Sequence, residues 1–198
     1  MKEGLTGFDD GLTRCDWTPI GPGADAQLYR DYHDQEWGRP LRGRRQLFER
    51  MSLEAFQSGL SWLIILRKRD NFRSAFGDFD IETVAGYDDA DVTRLMADAG
   101  IVRNRAKVHA TIANARAAAD LDVDLSDLLW SFAPPPRPRP ARMSDVPATS
   151  AESTAMAKEL KRRGFKFVGP TTAYALMQAT GMVDDHVAAC WVPAADEA

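Results

Sequence analysis

Helical spacing of apolar residues runs through most of this chain, and the two-residue alternation of a half-buried strand is convincing nowhere. That restricts the fold class to all-α, with helices packed on helices around a shared core. Residues 46–69, "QLFERMSLEAFQSGLSWLIILRKR", place Leu47, Met51 and Ala55 on one stripe beside Phe48, Leu60 and Leu63, with Gly59 inside, so the spacing predicts helix across the stretch. "DDADVTRLMADAG" opens on the N-cap candidates Asp88 and Asp89 and closes on Gly100. Residues 103–120 are rich in alanine, with Val108, Ile112 and Ala115 at helical spacing. "TSAESTAMAKELKRRG" has Thr149 and Glu152 at capping-box spacing and stops at Gly164. "PTTAYALMQATG" begins on Pro170 and ends in Gly181. The proline-rich "APPPRPRPAR" (133–142) is expected as an extended surface connection inside the fold, because the helical patterns on either side cannot bury themselves separately.

With 198 residues, one domain or two small lobes sharing a core are expected, spanning 12–194 after a loose polar lead-in over 1–11. Hydrophobic residues make up 44% and charged residues 27%, a soluble balance, and no apolar run approaches the roughly 18–20 residues that span a bilayer. The opening "MKEGLTGFDDGL" has no continuous apolar core of a secretory signal, so the expected setting is cytoplasmic, with no membrane partner and a monomeric chain. The net charge of −4 speaks against a nucleic-acid partner when taken alone, yet it hides basic clusters at 41–45, 66–73, 102–107 and 158–166. Such runs are most often solvated helix faces.

There are two cysteines, Cys15 and Cys190. A reducing cytosol argues against a disulfide between them. One reading is two unrelated buried thiols. The other starts from "DDHVAAC", where His186 and Cys190 stand four apart and would share a helix face, half of a tetrahedral site for a soft metal. His109 sits in a strongly helical stretch and reads as an ordinary helix residue, which leaves Cys15 and His33 as further donors near the other end. That set would clip the two ends of the chain together. "YHDQEWG" (32–38), which contains His33, has no apolar period, so it is either a solvated loop or part of a site.

Between the last two helical stretches lies "RGFKFVGPTTA" (163–173). A turn ending in Gly169, followed by Pro170, Thr171 and Thr172, leaves backbone N–H groups open at a helix N-terminus, with Arg163 and Lys166 nearby. This suits a phosphate; a plain helix–helix connection would look the same.

Taken together, "RCDW" (14–17), "YHDQEWG", "LFERMSLEAFQSGLSW" (47–62), "AGIVRNRAKVHATIANA" (99–115), "LLWSF" (128–132) and "KRRGFKFVGPTTAYALMQATGMVDDHVAAC" (161–190) resemble, in order and spacing, the DNA-3-methyladenine glycosylase I family. The resemblance covers nearly the whole chain, from Arg14 to Trp191. It implies an all-helical fold of the helix-hairpin-helix glycosylase superfamily, with the hairpin at Gly164–Gly169. It also implies one structural zinc joining the N- and C-terminal segments through Cys15, His33, His186 and Cys190. The implied activity is hydrolysis of the N-glycosidic bond of N3-methylated adenine in double-stranded alkylated DNA, releasing free 3-methyladenine.

The lesion base is cationic and already a good leaving group, so recognition matters more than a strong acid. A flipped nucleotide needs aromatic faces and a carboxylate. Trp17, Tyr29, Tyr32 and Trp62 offer faces, each worth roughly 0.5–2 kcal/mol to a cation. Glu54 interrupts an apolar window and alone would be read as pointing to water. The resemblance instead makes it the base-reading acid, with Tyr32 and Trp62 as pocket aromatics and Gly59 and Leu60 in the loop that fills the gap in the duplex. Asp184 in "MVDDHV" stands where other superfamily members carry a catalytic aspartate. It is either a base or sugar-cation stabiliser, or the N-cap of a helix bearing His186 and Cys190. No lysine before the hairpin offers itself as a Schiff-base nucleophile, so a monofunctional enzyme without strand cleavage is expected. A damage-sensing module without catalysis is the competing class. A catalytic zinc is disfavoured because four protein ligands close the tetrahedron.

Overall fold

Capping side chains decide where most helices begin. A computed structural model describes residues 5–7, 10–19 and 21–194. Among them the order is β1 (Leu5–Gly7), β2 (Thr13–Cys15), α1 (Ala24–Gln35), α2 (Arg44–Gln57), α3 (Trp62–Ala75), α4 (Ile81–Ala85), α5 (Asp89–Ala97), α6 (Arg105–Ala119), α7 (Leu125–Trp130), α8 (Ala151–Arg162) and α9 (Pro170–Ala179). Asp80, Asp88, Asn104, Asp124 and Ser150 each accept a hydrogen bond from a backbone N–H of the first turn they cap. The box before α8 is Ser150 with Ser153, not Thr149 with Glu152, a shift of one residue. Gly164 (φ +93°) and Gly181 (φ +69°) follow α8 and α9 in the left-handed conformation that ends a helix.

The predicted helix over 46–69 is broken. Its first half, α2, stops at Gln57; Ser58 turns extended (φ −47°, ψ 116°), Gly59 takes φ +80°, and α3 starts at Trp62. Apolar spacing continues across the break, so periodicity alone could not show it. The turn is held from outside by Lys107 of α6, whose Nζ donates to the carbonyls of Phe56 (2.7 Å) and Ser58 (2.6 Å).

α2 runs through the centre and buries Leu47, Phe48, Met51, Leu53, Ala55 and Phe56 against α3, α6, α7 and α9. Phe56, Phe72, Phe76 and Phe79 form a run of ring contacts with centroids 4.6–6.3 Å apart. A second, smaller apolar cluster joins Cys15, Tyr32, Trp37 and Leu66 to Ala179, Val187 and Val192, so the two chain ends share one core.

Residues 5–7, expected as part of a loose lead-in, pair antiparallel with 13–15, and the Trp191 N–H donates to the Thr13 carbonyl (2.9 Å). The rest of that lead-in, 1–4 with 8 and 9, lies outside the described residues. Strands of three residues are too short for alternation to be read from sequence; here backbone from the far end supports them. The proline-rich stretch is extended and surface-lying, and two of its arginines fasten it: Arg137 to Asp185 (2.7 Å) and Arg139 to Asp184 (2.8 Å). No described helix is long and apolar enough to cross a membrane.

Gly181 is where backbone meets backbone. A Cβ there would lie 2.5 Å from the Arg39 carbonyl carbon, on a residue already at φ +69°. Gly181→Ala should therefore destabilise the fold by about 2–4 kcal/mol, read as a lower denaturant midpoint at unchanged slope.

Candidate active site and metal-binding cluster

The segment "YHDQEWG" forms the end of α1 and the turn beyond it, and most of its side chains have separate tasks. Tyr32 and Trp37 face a cavity. His33 faces the opposite side, toward the chain termini. Asp34 accepts from Arg14 (2.7 Å) and from His33 Nδ1 (2.7 Å). Glu36 accepts from Arg50 (2.9 Å) and Arg69 (2.6 Å). Gly38 (φ +74°) lets the chain pass the His186 ring, which a Cβ would meet at 3.0 Å.

The cavity, about 360 Å³, is lined by Trp17, Tyr29, Tyr32, Trp37, Glu54, Gln57, Ser61, Trp62, Met143, Ala175 and Gln178. All five residues expected around a base, Trp17, Tyr29, Tyr32, Glu54 and Trp62, are therefore brought together. Tyr32 and Trp62 have ring centroids 5.3 Å apart, and Trp17 meets Tyr29 and Trp37 edge-on at 6.0 and 5.1 Å.

Glu54 is 4% exposed, and no described residue donates a hydrogen bond to it. Burial pushes its carboxyl up to about 7, against the opposing pull of Arg50 one helical turn away. Arg50 is itself buried, donates to the Tyr32 hydroxyl (3.1 Å), and lies over the Tyr32 and Trp62 rings at 5.3 and 5.8 Å. The indole Nε1 of Trp62 is buried without a partner. Glu54, with no donor to its carboxyl, and the aromatic faces around it make a wall suited to a flat, positively charged group.

Sequence reasoning did not assign Trp37, Gln57, Met143, Ala175 and Gln178 to this cavity. Trp37 and Gln57 carried local signals, one inside the aperiodic heptad and the other three residues after Glu54. Met143 arrives on a short 3₁₀ turn after the proline-rich stretch, and nothing local marks it.

Behind Tyr32 and Trp37, Cys15, His33, His186 and Cys190 are all buried, with ligand atoms within 4.8 Å of one another. Both thiols are free. Cys15 Sγ lies 3.7 Å from His186 Nδ1, and Cys190 Sγ lies 3.6 Å from His33 Nε2 and from His186 Nδ1. Each imidazole is fixed through its other nitrogen: His33 Nδ1 by Asp34, and His186 Nε2 by the Trp37 carbonyl (3.0 Å). The four can hold a metal ion. One expectation is corrected: His186 and Cys190 do not share a helix, because 181–192 is an irregular segment with a tight turn from Val187 to Cys190 (2.8 Å). Two ends of a chain converging on one point need curvature that a straight helix does not supply.

Asp184 consequently caps no helix. Its Oδ1 accepts from the His186 N–H (3.2 Å), an Asx-type turn, and its Oδ2 pairs with Arg139. It borders a different groove, with Pro138 and Met182, and not the aromatic cavity. The fully buried carboxylate is its neighbour: Asp185 accepts from Tyr174 (2.7 Å), Arg137 (2.7 Å) and Gln178 (2.9 Å).

Gly59, Leu60 and Ser61 project from the turn between α2 and α3 at the cavity, and Leu60 is 36% exposed. Lys166 and Gly169, between α8 and α9, and Thr171, in the first turn of α9, are exposed. Arg163 is committed to ion pairs with Glu159 and Asp122, both at 2.6 Å.

The chain matches the methyladenine glycosylase family model over residues 23–193. It is 44% identical over 184 residues to the DNA-3-methyladenine glycosylase 1 of Escherichia coli (strain K12), covering 90% of this chain and 96% of that one. A crystal structure of a 3-methyladenine DNA glycosylase I superposes with a TM-score of 0.84 at 43% identity, covering 90% of this chain and 98% of the other. The Staphylococcus aureus 3-methyladenine DNA glycosylase I, whose structure describes 3-methyladenine recognition, superposes at 0.81 with 35% identity, covering 84% and 92%. By sequence over nearly its whole length and by helical architecture alike, the chain belongs to the methyladenine glycosylase family.

Proposed function

We propose that this chain excises N3-methylated adenine from double-stranded DNA, hydrolysing the N-glycosidic bond with water and leaving the strand intact. The observation that carries the reading is Glu54, a buried carboxyl without a hydrogen-bond partner on a cavity walled by Trp17, Tyr29, Tyr32 and Trp62. An adenine alkylated at N3 carries a positive charge and an exocyclic amine, so an ionised Glu54 both neutralises it and accepts a hydrogen bond. Unmodified adenine is neutral and leaves Glu54 uncompensated in a dry site, which is the source of discrimination. The positive base is a competent leaving group, and Glu54 and the aromatic rings serve to hold it extruded while water attacks the sugar. No lysine lines the cavity, in keeping with water and not an amine as the attacking group.

On the duplex side, Gly59 and Leu60 form the wedge that occupies the gap left by the extruded nucleotide. α8, the turn 163–169 and α9 form the hairpin that grips the backbone. There the N–H groups around Gly169 and Thr171 and the ammonium of Lys166 face phosphates, and Arg163 contributes to the local field from within its ion pairs. We infer residues 12–194 to act as one monomeric cytoplasmic unit.

The metal is zinc. Zinc–sulfur bonds of about 2.3 Å and zinc–nitrogen bonds of about 2.0–2.1 Å in a tetrahedron set adjacent sulfur and nitrogen about 3.6 Å apart. Three of the four Cys–His ligand-atom distances, 3.6–3.7 Å, match that spacing. Four protein donors leave no position for water, so zinc serves the fold and supplies no step of the reaction. Purified protein should hold one zinc per chain. Cys190→Ser should lower the melting temperature by about 10 °C or more while the affinity of the folded fraction for free 3-methyladenine stays near normal. Protein isolated without chelator and free of zinc, or linked Cys15 to Cys190, would refute this.

Glu54 also sets a pH dependence. Because the folded chain holds this proton more tightly than the unfolded one, stability falls as pH rises from the ordinary 4.5 through about 7 and then levels off. Catalysis runs the other way: kcat/KM on methylated DNA should rise with an inflection near 7 as the carboxylate ionises. Glu54→Gln should flatten both curves, gain stability at alkaline pH, and weaken binding of the cationic base by about tenfold to a hundredfold. A variant that keeps the wild-type rate and its pH profile would remove Glu54 from the reaction.

Asp184 faces Arg139 away from the cavity, so Asp184→Asn should leave single-turnover release of 3-methyladenine within about threefold of wild type, since Asn makes the same turn. A loss of orders of magnitude with free-base binding intact would assign it the sugar-stabilising role instead.

A further inference from the structure

Two buried polar side chains on one face of α6 reach the two turns assigned to DNA. Lys107, 7% exposed, has carbonyl partners: Phe56 in the last turn of α2 (2.7 Å) and Ser58 (2.6 Å). These carbonyls stand at a helix C-terminus, where intrahelical donors run out and a cation is favoured by the helix dipole. Seven residues on, Asn114 is 1% exposed, donates to the Lys166 carbonyl (3.0 Å) and accepts from the Lys166 N–H (2.7 Å). Further along the same face, Ala117 lies in van der Waals range of where a Cβ would stand on Gly164.

Burying an ammonium and an amide costs free energy that apolar side chains would not. What the two hold is itself exposed: Gly59, Leu60 and Ser61 in one turn, Lys166, Phe167 and Gly169 in the other. Phe167 is kept at φ +57°, a left-handed conformation unfavourable for a bulky residue, directly after the pinned Lys166. Seven residues of α-helix place the two anchor points about 10 Å apart along a rigid axis.

We propose that α6 is a gauge that fixes the distance between wedge and hairpin, with Lys107 and Asn114 as positioning residues for engagement of a kinked duplex. This rests on the reading of both turns as DNA contacts. A rigid pair of contacts at set separation favours DNA already bent at the lesion and couples backbone grip to insertion of Leu60.

The test uses the full chain and four readouts: affinity for free 3-methyladenine, affinity for an undamaged duplex, affinity for the same duplex bearing a tetrahydrofuran abasic analogue, and single-turnover base release from methylated DNA. Lys107→Met keeps the apolar stem and removes the donors. It should lose about tenfold on the abasic duplex, where the wedge has a gap to fill, and little on the undamaged one, with release slowed alongside. Asn114→Leu loosens the backbone grip and should weaken both duplexes together by about tenfold. Free-base binding should stay at the wild-type level in both. If either side chain proves essential for folding, Lys107→Arg and Asn114→Asp keep part of the hydrogen bonding and should show the same pattern at smaller size. The gauge is overturned if duplex binding is unchanged, or if free-base binding falls in step with duplex binding, as a general loss of structure would give. Wild-type protein that neither releases 3-methyladenine nor prefers the abasic duplex would instead overturn the glycosylase reading itself.

Discussion

The meeting of the two chain ends at one buried Cys and His cluster is the constraint on which the fold around the site depends. Cys15 and His33 come from the first helix and the ribbon before it, and His186 and Cys190 from the irregular segment after the last helix. Their meeting point is fixed from outside by Asp34 on His33 and by the Trp37 carbonyl on His186. Those supports belong to the segment that presents Tyr32 and Trp37 to the cavity, so the cluster and the aromatic wall are two sides of one piece of backbone. The cavity is then closed from the other end of the chain by Gln178, whose carbonyl accepts from the Gly38 N–H and whose amide is held by Asp185.

Electrostatics in this molecule are local, which is why the net charge of −4 says little about the partner. Arg50, Glu36 and Arg69 form a chain of ion pairs that ends beneath the cavity, and the surplus positive charge of Arg50 only partly offsets the burial of Glu54. The Glu54 carboxyl is thus left without a hydrogen-bond donor in the cavity wall. The turn between α8 and α9 is arranged the opposite way: Arg163 is neutralised by Glu159 and Asp122, while Lys166 and the open N-terminus of α9 face solvent. The buried carboxyl of Glu54 and the exposed donors around Gly169 thus sit on separate elements, α2 and the turn before α9.

Several residues changed meaning once their neighbours were known. Asp184 was legible as a cap or a catalytic acid; in the fold it caps no helix, and its side chain pairs with Arg139, 45 residues earlier in the chain. The neighbouring Asp185, with three donors around one buried carboxylate, gave no local sign of importance. The aperiodic heptad did announce itself, since the absence of period 2 and period 3.6 showed that its side chains point in several directions.

Sequence alone determined the mostly helical class, the ends of α5, α6, α8 and α9 to within a few residues, and the chemistry of the donors and aromatic faces. Caps, glycines, prolines and side-chain types act over a few residues, so they can be read from a few residues. Only tertiary structure decided that 46–69 breaks at Gly59, that His186 and Cys190 leave the helix, that 5–7 pair with 13–15, and that Gln178 and Met143 complete the cavity. Most of these are settled by a partner far along the chain: Lys107 for the break, Cys15 and His33 for the last segment, Trp191 for the ribbon, Gly38 for Gln178. Long-range partners exchange hydrogen bonds and desolvation between segments that local propensity treats as independent, and that exchange overrides the apolar period wherever the two disagree.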